Sequence, residues 1–226
     1  MSEAWLVVGL GNPEARYARN RHNVGRMVID VLVRRTGSRL SGHRTRARVA
    51  EARLGVLPGG APGPRVILAE PAALMNVSGG PVKALARFYD VAPANRLLVI
   101  HDELDLPAHE LRLKRGGGEG GHNGLRSISR ALGARDYARL RVGIGRPPGR
   151  QDPADFVLSD IPARERDALA VTLERAADVV EDVSLEVGAR HVHALTTGAS
   201  ATRSSPGRPP EEPPGPGRPQ AMRPVS

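Results

Sequence analysis

Residues 96–107 read RLLVIHDELDLP, and this stretch sets the frame for the rest of the chain. Arg96 to His101 is a short continuous apolar run, the strongest strand pattern in the sequence, and it passes directly into acids and a proline. The period of two along a strand puts His101 and Glu103 on one face and Asp102 on the other. These three groups therefore do not converge as metal ligands would. At the carboxyl end of a central strand, Asp102 can orient a base; the plainer alternative is an aspartate that simply forms a turn.

On the amino-terminal side, Trp5 to Gly9 reads as a second buried strand that turns sharply through Gly9-Leu10-Gly11-Asn12-Pro13. A dinucleotide-binding unit would need a third glycine at position 14, where Glu14 stands, and a helix directly after the turn. The next helix begins later: Val24, Met27, Val28, Val31 and Leu32 recur at helical spacing and end near Gly37. His22 precedes it, beside a strand-end loop, where open α/β sheets place their sites. Arg39 to Arg53 suggests an exposed strand or two, Pro58 to Pro64 a mobile turn, and Arg65 to Glu70 another strand. The loop Pro71 to Val77 carries Asn76, and Ser78 can cap a helix bearing Val82, Leu85, Phe88 and Tyr89.

On the carboxyl-terminal side, residues 114–127 read KRGGGEGGHNGLRS, five glycines around Glu119 leading into His122-Asn123-Gly124. Such a backbone turns through conformations closed to other residues and lets a ligand approach closely. Leu125, Ile128 and Leu132 then mark a helix that Gly133 stops. Free amides at that helix start, flanked by Lys114 and Arg115, would suit a phosphate or carboxylate; a solvated hinge is the plainer reading. No Gly-Lys-Ser/Thr follows, so the loop is not a Walker motif. Ala138 to Gly145, ARLRVGIG, is a further strand with Arg139 and Arg141 on one side. Pro162 opens a long helix to about Val187, striped by Leu169, Leu173, Ala176, Val180 and Val183, and a short last helix would hold His191 and His193 as surface residues.

Residues 199–226, ASATRSSPGRPPEEPPGPGRPQAMRPVS, contain eight of the chain's 20 prolines and no aromatic residue, too little apolar surface to fold. Residues 1–198 then form one domain, with 199–226 a disordered tail. The net charge of +9, of which the body holds about +7, favours a polyanionic partner, most often nucleic acid. No cysteine is present, which removes disulfides and thiolate nucleophiles and fits a reducing compartment. The N-terminal apolar run is short for a signal peptide, and no window reaches membrane-spanning length; a soluble cytoplasmic protein is expected.

No Gly-x-Ser-x-Gly elbow occurs either. What recurs at loop ends is Asn12, Asn76 and Asn123, with His22 and Asp102. A histidine whose tautomer is fixed by a carboxylate can take a proton from water, and amide side chains can donate to a developing oxyanion. The combination suits hydrolysis of an activated ester, provided that these five residues meet in space.

Gly9 to Pro13 (GLGNP), Tyr17 to Asn23 (YARNRHN), Leu74 to Gly79 (LMNVSG), His101 to Pro107 (HDELDLP), Gly116 to Gly124 (GGGEGGHNG) and Arg139 to Gly145 (RLRVGIG) together closely resemble the bacterial peptidyl-tRNA hydrolase family, in order from residue 5 to about 195. The resemblance implies a monomeric single-domain α/β fold, with a twisted mixed β-sheet sandwiched between α-helices. It implies hydrolysis of the ester between a peptide and the terminal ribose of tRNA, recycling tRNA from prematurely released peptidyl-tRNA, with no cofactor and no metal. Carried over by position, His22 is the general base, Asp102 its partner, and Asn12 helps separate blocked from unblocked aminoacyl groups. Asn76 and Asn123 hold substrate and water, Met75 lines the peptide groove, Tyr17 contacts the tRNA terminus, and Lys114 and Arg141 grip the acceptor arm. Leu74 departs from the family, which usually has an aromatic residue there, so stacking worth roughly 1–3 kcal/mol per base is lost. Two other readings compete: an RNA-binding protein that kept the fold and lost the reaction, and a nucleotide-binding enzyme.

Overall fold

The computed structural model describes residues 4–57 and 59–185. In chain order the strands are β1 (Trp5–Gly9), β2 (Ser41–His43), β3 (Ala47–Arg53), β4 (Arg65–Pro71), β5 (Leu97–Glu103), β6 (Leu111–Arg115) and β7 (Ala138–Gly143). The helices are α1 (Val24–Thr36), α2 (Gly79–Phe88), α3 (Pro93–Arg96), α4 (Asn123–Leu132), α5 (Pro153–Val157) and α6 (Arg166–Ser184). Among the described residues the strands make one mixed sheet in the order β2-β3-β4-β1-β5-β7-β6. Its four central strands run parallel, and β3 and β6 pair antiparallel at the two sides.

Alternation along the central strands divides the core into two layers. Trp5, Val7, Leu98 and Ile100 pack with α1 and α6, while Leu6, Val8, Leu97 and Val99 pack with α2 and α4. Asp102 follows Leu98 and Ile100 on the α1 face, and His101 follows Leu97 and Val99 on the α4 face. The parity read from the sequence therefore aims the carboxylate at the element that carries His22.

Close backbone packing fixes that meeting. A Cβ on Gly25 would lie 2.3 Å from the carbonyl oxygen of Ile100, and one on Gly9 would lie 2.3 Å from the carbonyl oxygen of Gly25. Only glycine lets the first turn of α1 sit directly on the ends of β1 and β5. The residues just before α1 are thereby held over the carboxyl end of β5.

Several expectations need correction. The β6 strand was not read from the sequence, and β3 is half-buried through Ala47, Val49 and Ala50 rather than exposed. Ser78 occupies the cap position of α2, but its hydroxyl donates to the Leu74 carbonyl at 3.4 Å and caps no amide. The long last helix starts at Arg166, after a 3₁₀ turn over Ala163–Glu165, not at Pro162. His191, His193 and the 199–226 segment lie outside the described residues.

Candidate active site

His22 lies in a 3₁₀ turn, Arg21–Asn23, whose flanking residues are tied down on both sides. Arg21 is buried and donates to Ser159 Oγ (2.8 Å), the Asp160 carbonyl (3.0 Å) and Glu165 Oε2 (3.1 Å), with its guanidinium 4.4 Å above the Phe156 ring. Asn23 clasps the first strand-end loop: its Nδ2 donates to the Asn12 carbonyl at 3.0 Å, and its Oδ1 accepts from the Asn12 amide at 2.9 Å. Between these anchors the imidazole is presented with little freedom to move.

The imidazole Nδ1 lies 2.8 Å from Asp102 Oδ1. A second ring reaches the same oxygen, His122 Nε2 at 3.1 Å. Hydrogen positions follow from the surroundings. His122 Nδ1 accepts from the backbone amides of Gly124 (3.1 Å) and Leu125 (3.3 Å), so its proton sits on Nε2 and is donated to Asp102. The Asp102 oxygen accepts again from His22 Nδ1–H, which leaves the His22 Nε2 lone pair free to act as a base.

The electrostatics agree. Burial would raise the Asp102 pKa, but the two imidazoles facing it hold the carboxyl well below the usual carboxylate range. Burial likewise works against a charged His22, and the charge and hydrogen bond of Asp102 outweigh it, so the His22 pKa is raised above the ordinary 6.5. His101 behaves oppositely. It is fully buried, donates from Nδ1 to the Asp102 carbonyl at 2.7 Å, and burial pushes its pKa down to about 3. Of the three clustered histidines, His22 is the one that brings a free lone pair to the cavity shared with Asp102 and Asn123; the unpartnered Nε2 of His101 is buried at the neighbouring one.

That cavity, about 410 Å³, is lined by His22, Asp102, Gly121, His122, Asn123 and Pro153 among others. Asn123, at the first position of α4, is exposed. Asn12 joins through a different contact: its Oδ1 accepts from the Met75 amide at 2.9 Å, and among the described residues its Nδ2 makes no hydrogen bond. Met75 is buried, and a Cβ on Gly124 would lie 2.5 Å from its sulfur, so Met75 packs against the start of α4. Asn76 and Leu74 are exposed on the turn around it, Leu74 at 47%.

The glycine loop covers a second cavity of about 220 Å³ beside the first, lined by Lys114, Arg139 and Arg141 together with Glu103. Arg139 is buried and donates to the carbonyls of Gly118 (2.7 Å) and Gly117 (3.1 Å), pinning the loop, while Arg141 pairs with Glu103 at 2.9 Å. Tyr17 lines neither cavity and is half-buried, with the Arg16 guanidinium 4.7 Å over its ring. Sequence reasoning thus brought His22, Asp102 and Asn123 to one cavity and Lys114 and Arg141 to its neighbour, and missed His122, Arg21 and Arg139. A histidine one position before a helix start was the available signal for His122, since an N-cap needs a side-chain acceptor. The capping also corrects the anion-cradle expectation, because an imidazole already takes two of the amides that an anion would use.

His22, Asp102 and His122 have ligand atoms within 4.8 Å of one another, a spacing that a metal ion can use. The hydrogen-bond pattern argues against ligation: two of those atoms carry the protons shared with Asp102, and freeing His122 Nε2 would cost α4 its cap.

A family model for peptidyl-tRNA hydrolase matches residues 6–202. A peptidyl-tRNA hydrolase of Kineococcus radiotolerans is 63% identical over 186 residues, covering 82% of this chain and 93% of that protein. One from Frankia alni is 59% identical, covering 84% and 94%. The crystal structure of peptidyl-tRNA hydrolase from Acinetobacter baumannii superposes with a TM-score of 0.72 at 32% identity, covering 86% of this chain and 95% of that one. The chain therefore belongs to the peptidyl-tRNA hydrolases, enzymes that hydrolyse the ester bond of peptidyl-tRNA.

Proposed function

We propose that His22 is the general base of this hydrolysis. Its Nε2 takes a proton from a water in the 410 Å³ cavity, and the resulting hydroxide adds to the ester carbonyl carbon. The tetrahedral oxyanion is met by amide donors, Asn12 Nδ2 and Asn123 being the candidates, and the imidazolium stays paired with Asp102. Collapse breaks the bond to the ribose oxygen, which receives the proton from His22 and leaves as a hydroxyl. A sugar oxygen leaves more readily than an amine, so an activated water suffices, and no cofactor or metal enters the scheme. Lys114, Arg141 and the cavity under the glycine loop are assigned to the acceptor arm, Tyr17 to the tRNA terminus, and Met75, Leu74 and Asn76 to the acyl side.

One observation carries this reading: the 2.8 Å contact from His22 Nδ1 to Asp102, which fixes the basic nitrogen toward a cavity. We further read the protein as cytoplasmic, in keeping with the absence of cysteine, and as a monomer, as the family resemblance implies. No described helix is long and apolar enough to cross a membrane. The test is turnover of N-acetylated aminoacyl-tRNA set against free aminoacyl-tRNA. Rapid release from the blocked substrate alone is expected; tight tRNA binding without release would mark the chain as an RNA-binding relative that has lost the reaction.

A further inference from the structure

The turn between β2 and β3 carries Arg44 and Arg46, both exposed. Strand register places it at the carboxyl end of β4, since His43 pairs with Ala47 and Ala47 with Pro71. It abuts the site loop directly, because the Ala72 amide donates to the Arg46 carbonyl at 2.9 Å. Arg44 holds its guanidinium 4.5 Å over the ring of Phe88, which is 44% exposed at the end of α2, and His43 meets the same ring edge-on at 4.7 Å. Arg87 is exposed beside Phe88. The two acids of the hairpin and β4 are already matched, Glu51 by Arg65 at 2.6 Å and Glu70 by Arg26 at 2.6 Å. The face is therefore cationic with an aromatic ledge, and no part of the mechanism uses it.

Its position names its occupant. The sheet order sets the β6–β7 edge, with Lys114 and Arg141, on one side of His22 and the β2–β3 edge on the other. With the RNA gripped at the first edge, the acyl chain leaves the ester toward the second, past the exposed Leu74 and Val77. Three or four strand spacings separate the end of β5, where the ester meets His22 and Asp102, from the hairpin, roughly 14–19 Å, a span that an extended peptide covers in about four to six residues. We propose that Arg44, Arg46 and Phe88 form a subsite for the peptide moiety of peptidyl-tRNA, favouring an acidic side chain about four to six residues from the ester. The proposal rests on the assignment of the ester to His22 and of the RNA to the Lys114 edge.

The experiment compares three substrates on one tRNA: an N-acetylated aminoacyl group, a six-residue peptide with glutamate at the fourth residue from the ester, and the same peptide with lysine there. Each is cleaved by the wild type and by the double variant Arg44→Ala, Arg46→Ala. The wild type should prefer glutamate over lysine by about threefold or more in kcat/KM at low salt, in keeping with two solvent-exposed charge pairs. The double variant should lose that preference and cleave the N-acetylated substrate at the wild-type rate, which also reports correct folding. Equal rates for both peptides in the wild type, or a preference that survives in the variant, would overturn the subsite. An equal slowing on all three substrates would show that this face contacts RNA and would likewise overturn it. Failure of the wild type to cleave even the N-acetylated substrate would instead strike the proposed function itself.

Discussion

His22 and Asp102 stand 80 positions apart in the chain, yet Nδ1 of the one lies 2.8 Å from Oδ1 of the other, with the ring on the entry to α1 and the carboxylate at the end of β5. Because Asp102 raises the His22 pKa, the catalytically competent neutral ring is reached only above the ordinary 6.5. The pH profile of kcat/KM should rise through one acidic limb centred above that value and then level off. Asp102→Asn leaves burial unopposed, so its limb should move to lower pH while the plateau falls by about 10²–10⁴-fold. An unmoved limb would show that another group titrates. Stability runs the other way: with Asp102 ionised, the charged pair supports the fold below the unfolded His22 pKa and loses that support as pH rises through the raised one. Thermal melts across the same range should show the opposite slope to activity.

His122 serves two partners at once, and two variants separate them. Removing the ring with His122→Ala should cost about 1 kcal/mol through loss of the α4 cap, a fall of about 2–4 °C in Tm. His122→Asn restores a good capping side chain that is too short for Asp102. Its melting temperature should return toward wild type while kcat stays reduced by about tenfold. Recovery of both together would make the Asp102 contact dispensable.

Two glycines contact the site, and their substitutions should differ in cost. A Cβ on Gly124 meets the sulfur of Met75 at 2.5 Å, the far end of a flexible side chain that can swing aside. A Cβ on Gly25 meets the Ile100 carbonyl at 2.3 Å, and backbone cannot swing. Gly25→Ala should therefore destabilise by about 1–3 kcal/mol and slow turnover by lifting His22 from Asp102. Gly124→Ala should cost less stability and act mainly on KM for the acyl group. Denaturant unfolding paired with steady-state kinetics distinguishes the two.

Lys114 lines the cavity under the glycine loop, where we propose that it meets a substrate phosphate. Lys114→Ala should weaken tRNA binding and lower the slope of log K against log salt by about one. An equal loss on a minimal substrate without the RNA arm would place Lys114 in the chemistry instead.

The fold was legible where periodicity was strong. The opposite parity of Trp5 and Val7 against Leu6 and Val8 matches the two core layers, and the helical stripe from Val24 to Leu32 matches α1. It was illegible where elements are short and charged: β6 is five residues, three of them basic, and α5 is also five. Arg139 alternates with Leu140 as a surface arginine would, yet it is buried, with loop carbonyls accepting from its two terminal nitrogens. The second donor to Asp102 escaped notice for a related reason. His122 acquires its role from a fold contact and a cap together, and neither leaves a spacing pattern in the chain.

The most direct measurement is the single-turnover rate of release from N-acetylated aminoacyl-tRNA by His22→Ala, with tRNA affinity measured on the same preparation. The account predicts a rate at least about a hundredfold below wild type with binding retained. A rate equal to wild type would contradict it.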